Sequence, residues 1–209
     1  MSSHFSAMSN MRKREKMRQK KEEDCKHIRE VRQKWKDDHE KLLLETLSSV
    51  YRSPIPRLMQ RIELVGGLSN NLNLSKLWEI GMELKDMKIL GPKSLVVNVG
   101  SLHCLALLTL ACSTGCKGIG VEIDPQINLG AIIAMQQFYV KMGQKCNGIN
   151  KKPTVYVDSM VRDIVSLSTI DPAKFLLCNF AGQSSSAYKH LGKVFNHSVK
   201  CKWFLSIIE

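Results

Sequence analysis

The pattern of hydrophobic and polar positions changes its character near residue 94. Residues 11–50 are mostly charged or polar, contain neither Gly nor Pro, and gather their apolar residues near the end, which predicts one long helix. Helical spacing of apolar residues returns over 74–87 and ends before Gly91-Pro92. From Ser94 onward, short apolar runs alternate with longer amphipathic stretches.

This alternation predicts a strand and a helix in turn. The predicted strands are 95–100, 118–123, 154–158, 174–180 and 202–208, and the helices between them are 102–114, 126–142, 160–168 and 184–196. Strands that are apolar on both faces and alternate with helices are typical of a parallel sheet covered on both sides. We therefore expect an α/β fold, a doubly wound, mostly parallel Rossmann-like sheet of about five strands, with an N-terminal helical extension.

The length of 209 residues fits one domain plus an extension. We expect a basic helical extension over 1–53, partly disordered at its Ser-rich start, and a helical lead-in over 54–93 with a short helix near 56–65 and a loop over 66–73. The α/β domain is expected to occupy 94–209.

The net charge of +12 favours acidic partners such as nucleic acid, chromatin or an anionic membrane face, although a solvated basic tail fits as well. Residues 11–21 carry seven basic residues and one acidic residue. They are similar to a nuclear localisation patch and could contact DNA phosphates, so we expect a nuclear protein. A solvated helix end accounts for the same residues equally well.

The seven cysteines form no CxxC pair and have no partners at metal-ligand spacing, so no metal site is expected and a reducing compartment fits best. The longest apolar run, 102–112, is interrupted by His103 and is too short to span a bilayer, so no membrane contact is expected.

The stretch from Leu95 to Asp124 has the order of a nucleotide-cofactor site. A glycine, Gly100, ends the first predicted strand, and an acid, Glu122, ends the second. A glycine at this place lets the backbone approach a ligand, and a carboxylate at the end of the second strand can accept the hydroxyls of a ribose. Asp163 follows the third strand and could bind an adenine amino group, while Asn179 ends the fourth.

Each of these residues also has a plain structural interpretation. Gly100 could merely end a strand, and Glu122 with Asp124 could form a helix start before Pro125. Asp163 could be surface charge and Asn179 a turn residue. The bend also lacks two glycines of the dinucleotide pattern GxGxxG, at 102 and 105, so we favour S-adenosylmethionine, which has no pyrophosphate to hold.

Three segments, GIGVEIDPQINLGA, RDI and FLLCNFAG, resemble class I S-adenosylmethionine-dependent methyltransferases. The sequence is most similar to the non-SET histone lysine methyltransferases of the disruptor-of-telomeric-silencing type, over residues 74–209. The resemblance implies a methyltransferase fold, S-adenosylmethionine as cofactor and a histone in the nucleosome as partner. It assigns the cofactor to Asn98, Gly100, Ser101, Glu122, Asp163 and Asn179. It also places Asn179 beside the methyl group and the lysine amine, and Phe180 in the wall of the lysine channel.

The sequence departs from this family at the bend. Asn98 stands where the family has Asp, and Leu102 and Cys104 stand where it has its second and third glycines. The chain ends after the fifth predicted strand, where the family has two more, so we expect either a partial reading frame or a decayed copy. Three functions stay open: a protein-lysine methyltransferase, a catalytically inactive relative that serves as a binding module, and a nucleic-acid amine methyltransferase. The last class prefers prolines beside the strand-four Asn, and Cys178-Asn179-Phe180 has none.

Overall fold

The computed structural model describes residues 2–51, 74–102, 104–145, 155–179 and 184–207. The chain divides into two compact units, Met1–Leu42 and Leu43–Glu209. Helix α1 runs over Ser2–Tyr51, so it begins nine residues before the predicted start at residue 11. The Ser-rich start contains no Gly or Pro that would end a helix. The helix predicted near 56–65 and the loop over 66–73 lie outside the described residues.

The second unit contains the end of α1 and the alternating elements. They are α2 (Leu74–Asp86), β1 (Leu95–Val99), α3 (Leu105–Thr114), β2 (Lys117–Glu122), α4 (Pro125–Lys145), β3 (Tyr156–Val161), a 3-10 helix (Ile164–Ser166), β4 (Phe175–Asn179), α5 (Ser185–His197) and β5 (Trp203–Ile207). All five strands are parallel and lie in the order β3-β2-β1-β4-β5. The predicted doubly wound, Rossmann-like α/β fold is confirmed.

The strand order indicates where a ligand-binding crevice is expected. The chain leaves β1 toward β2 on one side and later returns to place β4 on the other side. In open parallel sheets, ligands bind beyond the carboxyl ends of the strands at such a reversal. The bend after β1 and the last residues of β2 and β4 therefore surround the crevice.

Each face of the sheet is packed differently. On one face, Val97, Val99, Leu176 and Cys178 form a buried cluster together with residues of α5, among them Leu191 and Val194. On the other face, a Cβ at Gly118 would lie 2.6 Å from Leu107 Cγ, so only glycine lets α3 approach β2 this closely. The burial of apolar side chains on both faces explains why the strands read as continuous apolar runs.

Three element boundaries differ from the predicted ones for local reasons. Helix α3 begins at Leu105 and not at 102, because Leu102 and Cys104 have left-handed backbones with φ of 49° and 56°. Strand β3 extends to Val161 because it pairs with β2 along the whole of that strand, up to Glu122. The helix predicted over 160–168 is reduced to the single 3-10 turn.

The end of α1 carries the apolar residues that pack in the second unit. Leu43, Leu47 and Val50 are buried, as the gathering of apolar residues near the end of the helix predicted. No helix within the described ranges combines the length and the apolarity needed to cross a membrane.

Candidate functional site

The bend after β1 has a left-handed backbone at every second residue. Gly100 has φ of 64°, and Leu102 and Cys104 follow with 49° and 56°. These are the three positions at which the resembled family has glycine. A non-glycine residue in this conformation costs about 1–2 kcal/mol, so the surrounding contacts must hold the bend in place. The shape of a glycine-rich turn is thus present with a single glycine.

Backbone hydrogen bonds tie the bend to β2. Gly100 N and Ser101 N both donate to Val121 O, at 3.0 and 3.2 Å, and Cys104 N donates to Ser101 O at 2.8 Å. Together they fix the path of the chain from the end of β1 to the start of α3.

The Glu122 side chain points toward this bend. It is 5% exposed, and its Oε2 accepts a hydrogen bond from Leu102 N at 3.0 Å. Its Oε1 accepts from Ile123 N at 2.9 Å and from Asp124 N at 3.3 Å. One carboxylate therefore joins the loops that follow β1 and β2. A carboxylate has about four acceptor positions, so three hydrogen bonds leave capacity for one more donor.

Two buried polar side chains lie near the bend, Asn98 and Ser101, which are 2% and 4% exposed. Asn98 Oδ1 has no hydrogen-bond partner among the described residues, whereas the Ser101 hydroxyl interacts with the Cys104 thiol. Asn98 pairs with Gly120 across β1 and β2, and a Cβ at Gly120 would lie 2.8 Å from Ser101 Oγ. Both groups are thus on the same face, beside Gly120. An unpaired buried polar group costs about 1–3 kcal/mol, so a water or a ligand donor would stabilise this place.

Cys104 fills the space above Gly120. A Cβ at Gly120 would clash with Cys104 Sγ, so the glycine of β2 makes room for a side chain where the family has none. Burial raises the pKa of the Cys104 thiol. The thiol is therefore neutral at pH 7 and packs as a small apolar group. The alternating glycines of GIGVE were the sequence signal for this close packing, which we did not predict.

Asp163 lies next to the end of β2 but serves a local role. Arg162 N donates to Glu122 O at 2.7 Å, which continues the pairing of β3 with β2 and places residue 163 close by. The exposed Asp163 caps the 3-10 helix, and its Oδ1 accepts from Val165 N at 2.9 Å. The exposed carboxylate lies at the same end of the sheet as Glu122.

Asp124 confirms the structural interpretation of its segment as a helix start. Its Oδ1 accepts from Gln126 N at 2.7 Å and from Ile127 N at 3.3 Å, at the beginning of α4. A second polar contact follows on the same helix, where Ser159 Oγ donates to Asn128 Oδ1 at 2.5 Å and links β3 to α4.

The described residues include the backbone of only one of the two predicted catalytic residues. Asn179 is the last residue of β4, at the expected carboxyl end, but its side chain is not among those described. Phe180 and His103 lie outside the described residues. Among the residues that the structure does describe, no group of three or more His, Cys, Asp or Glu side chains is arranged to hold a metal ion.

Several solved structures have a similar arrangement of strands and helices. An RNA methyltransferase from Salinibacter ruber with S-adenosyl-L-homocysteine matches with a TM-score of 0.44 and 17% identity over 63% of this chain and 71% of that one. A SAM-dependent methyltransferase from Geobacter sulfurreducens with the same ligand gives 0.45 and 20% over 66% and 51%. Geranyl diphosphate C-methyltransferase from Streptomyces coelicolor gives 0.42 and 12% over 61% and 45%.

This chain spans about half the length of the last two proteins. No protein-family model matches the sequence, and no curated protein matches it either. With identities of 20% or less and TM-scores below 0.5, these likenesses assign neither a substrate nor a reaction to the chain.

Proposed function

We propose that the chain binds S-adenosylmethionine at the bend after β1 and transfers its methyl group to an amine. The observation that carries this proposal is the Glu122 carboxylate, which is buried beside the bend and bonded to Leu102 N at 3.0 Å. A carboxylate in this position can accept a ribose hydroxyl, and the neighbouring backbone is held in the shape that glycine-rich cofactor turns use.

The residues around the bend fit such a ligand. Asn98 Oδ1 is a buried acceptor without a partner among the described residues, and the buried Ser101 hydroxyl lies on the same face; both would serve the amino end of the donor. Asp163 is exposed at the same edge and would accept the adenine amino group. Gly100 would let the backbone approach the donor.

The donor, when bound, supplies a methyl group on a positively charged sulfonium. The protein has to hold the acceptor amine in line, keep water away and favour the neutral amine. Burial in an apolar channel lowers the pKa of an amine, so no dedicated base is required. We assign Asn179, at the end of β4, to the amine, and Phe180 to the wall of the channel.

The acceptor is proposed from the resemblance of residues 74–209 to the non-SET histone lysine methyltransferases. A protein lysine in chromatin is then the substrate, with a nuclear location, and the basic residues 11–21 contact DNA. A nucleic-acid amine is the competing acceptor, although Cys178-Asn179-Phe180 lacks the prolines that this class prefers.

A second candidate is a binding module without catalysis, and one observation favours it. Glu122 already accepts three backbone hydrogen bonds, and Leu102 occupies a position where the family has no side chain. A turn that is closed by its own carboxylate could keep the fold and bind no donor.

Calorimetric titration of the full chain with S-adenosyl-L-homocysteine separates the two candidates. If the site binds the donor, we expect a micromolar Kd that Glu122→Gln weakens roughly 10- to 100-fold, because a hydrogen bond to a charged group contributes about 1.5–3 kcal/mol. The matched control is Asp158→Asn, an exposed acid on β3 whose Oδ1 accepts from Ser159 N, and it should leave the Kd unchanged.

If the titration shows no heat of binding at millimolar ligand, the binding module without catalysis remains as the proposed function. Where binding is found, radiolabelled donor should label nucleosomes and not naked DNA or RNA. Label in nucleic acid alone would replace the lysine with the competing acceptor.

A further inference from the structure

We propose that the opposite edge of the sheet, where the strands begin, binds single-stranded nucleic acid. This inference is independent of the proposed function. Lys117 is the first residue of β2, and Lys174 and Lys202 immediately precede β4 and β5. We call these three residues with Tyr156 the lysine edge.

Strand register places the lysines in one row. Lys117 pairs with Leu95, whose carbonyl oxygen accepts from Lys174 N at 2.9 Å, and Lys174 O accepts from Lys202 N at 3.1 Å. Neighbouring strands lie about 4.8 Å apart, so Lys174 and Lys202 are adjacent and Lys117 is about 10 Å from Lys174. Residues in register project to the same face of a sheet.

The charges of this row are not neutralised by ion pairs among the described residues. All three lysines are exposed, and none of them makes an ion pair with a described residue. Like charges on adjacent strands repel and destabilise a sheet. Asp171 lies at the same edge, but its carboxylate oxygens accept from Val199 N at 2.9 Å and Lys200 N at 2.8 Å. A bound polyanion would relieve the repulsion.

An exposed aromatic ring lies at one end of the row. Tyr156 is the register partner of Lys117 on β3 and is 63% exposed, whereas Trp203 follows Lys202 and projects to the opposite face of the sheet. Tyr156 to Lys202 is four strand spacings, or about 19 Å. Cations beside an exposed aromatic ring suit single strands, because phosphates contact the lysines while a base stacks on the ring. A duplex hides its bases and an anionic bilayer has none, so both fit this edge less well.

This edge is remote from the candidate cofactor site. Lys117 and Glu122 are the two ends of β2, which at about 3.3 Å per residue separates their Cα atoms by roughly 17 Å. Nucleic acid held at the lysine edge would therefore leave Glu122 and the bend free. It would serve to anchor the protein and not as the methyl acceptor.

Fluorescence anisotropy with a labelled 12-nucleotide single strand, measured on the full chain from 50 to 200 mM salt, tests the proposal. The edge variant is Lys117→Gln/Lys174→Gln/Lys202→Gln. We expect binding at least tenfold weaker at 100 mM salt, and a slope of log K against log salt that is smaller by about 2, since each contact with a single strand contributes about 0.7. Tyr156→Ala should weaken binding roughly 5- to 150-fold with an unchanged slope.

Two comparison variants make the result specific. Lys76→Gln/Lys141→Gln/Lys189→Gln removes the same charge elsewhere in the second unit, and we expect it to bind within about twofold of the native chain. In the second comparison variant, Gln replaces the seven basic residues from Arg12 to Lys21. In this background, substitution of the three edge lysines should still weaken binding of the oligonucleotide. Thermal unfolding of each variant confirms that it is folded.

The proposal is overturned if the edge variant binds as tightly as the charge-matched variant, or if all binding is lost with the residues between Arg12 and Lys21. It is also overturned if a 12-base-pair duplex binds equally well and is insensitive to Tyr156→Ala. Edge-dependent binding to phosphatidylserine vesicles without binding to the oligonucleotide would replace nucleic acid with a membrane surface.

Discussion

Leu102 and Cys104 hold the backbone of a glycine-rich turn although they carry side chains. The hydrogen bond from Leu102 N to Glu122 and the packing of Cys104 over Gly120 offset the conformational cost of these left-handed residues. The backbone of Leu102 and the side chain of Cys104 therefore both take part in the contacts that keep the shape of the bend.

This link predicts an interaction between positions 104 and 120. Gly120→Ala places a Cβ against Cys104 Sγ, and we expect it to lower the free energy of unfolding by about 1–3 kcal/mol through overpacking. In Cys104→Ala the sulfur is absent, so the same Gly120→Ala change should cost at least about 0.5 kcal/mol less. Urea unfolding of the two single variants and the double variant measures this difference.

Gly143→Ala is the matched control. This glycine lies in α4 with no atom near the position of an added Cβ, so alanine should stabilise the protein by about 0.5–1 kcal/mol. Additive effects at positions 104 and 120 would contradict the packing described here.

Sequence reasoning identified the residues of the bend but not their contacts. Gly100 and Glu122 could be selected because strand ends recur at readable positions in a βαβ pattern. The hydrogen bond from Leu102 N to Glu122 could not be predicted, because it depends on left-handed backbone angles that residues such as Leu rarely adopt. The roles of Asn98, Ser101, Asp163 and Asn179 toward a cofactor stay predictions.

Strand β4 and the turn between α3 and β2 bury thiols whose titration should affect stability. Burial raises the pKa of Cys116 to about 11 and that of Cys178 to about 12. In the unfolded protein, each thiol would lose its proton near pH 9. Between about pH 9 and 11 the folded state therefore binds more protons than the unfolded state. The stability contributed by these thiols is complete below about pH 9 and is lost as the pH rises.

The expected loss is about 1.4 kcal/mol per pH unit for each thiol across this range. Urea unfolding at pH 8, 9, 10 and 11 measures it. Cys178→Ala should make the decline shallower by that amount per pH unit, whatever its effect at pH 8. The same slope in the variant and in the native chain would show that Cys178 does not titrate as described.

The elements themselves were largely predictable, and the differences lie at their ends. The five strands are short apolar runs bounded by polar or glycine residues, so their positions could be identified without knowledge of the fold. The start of α3 was wrong by three residues because its apolar pattern begins at Leu102, within the left-handed bend. Strand β3 continues past its apolar run because pairing with β2, and not its own sequence, sets its end.

At the scale of the whole molecule, the two ends of the sheet carry different chemistry. Glu122, Asp124 and Asp163 lie at the carboxyl ends of β2 and β3, and Lys117, Lys174 and Lys202 lie at the amino ends of the strands. The net charge of +12 follows directly from the sequence. The sequence alone does not show which lysines become neighbours, because Lys117, Lys174 and Lys202 are brought into one row by strand register. The proposed anionic partner and the proposed cofactor would thus bind at opposite ends of the sheet.

The most direct test of the cofactor site is the change in amide chemical shifts of the labelled full chain on addition of S-adenosyl-L-homocysteine. We predict that the shifts are concentrated at the amides of Gly100, Ser101 and Leu102, at Ile123 and Asp124, and near Asp163. The amides of Lys117, Lys174 and Lys202 should not move. Unchanged amides at the bend with millimolar ligand, or changes confined to another part of the chain, would contradict the proposal that Glu122 and the bend hold the methyl donor.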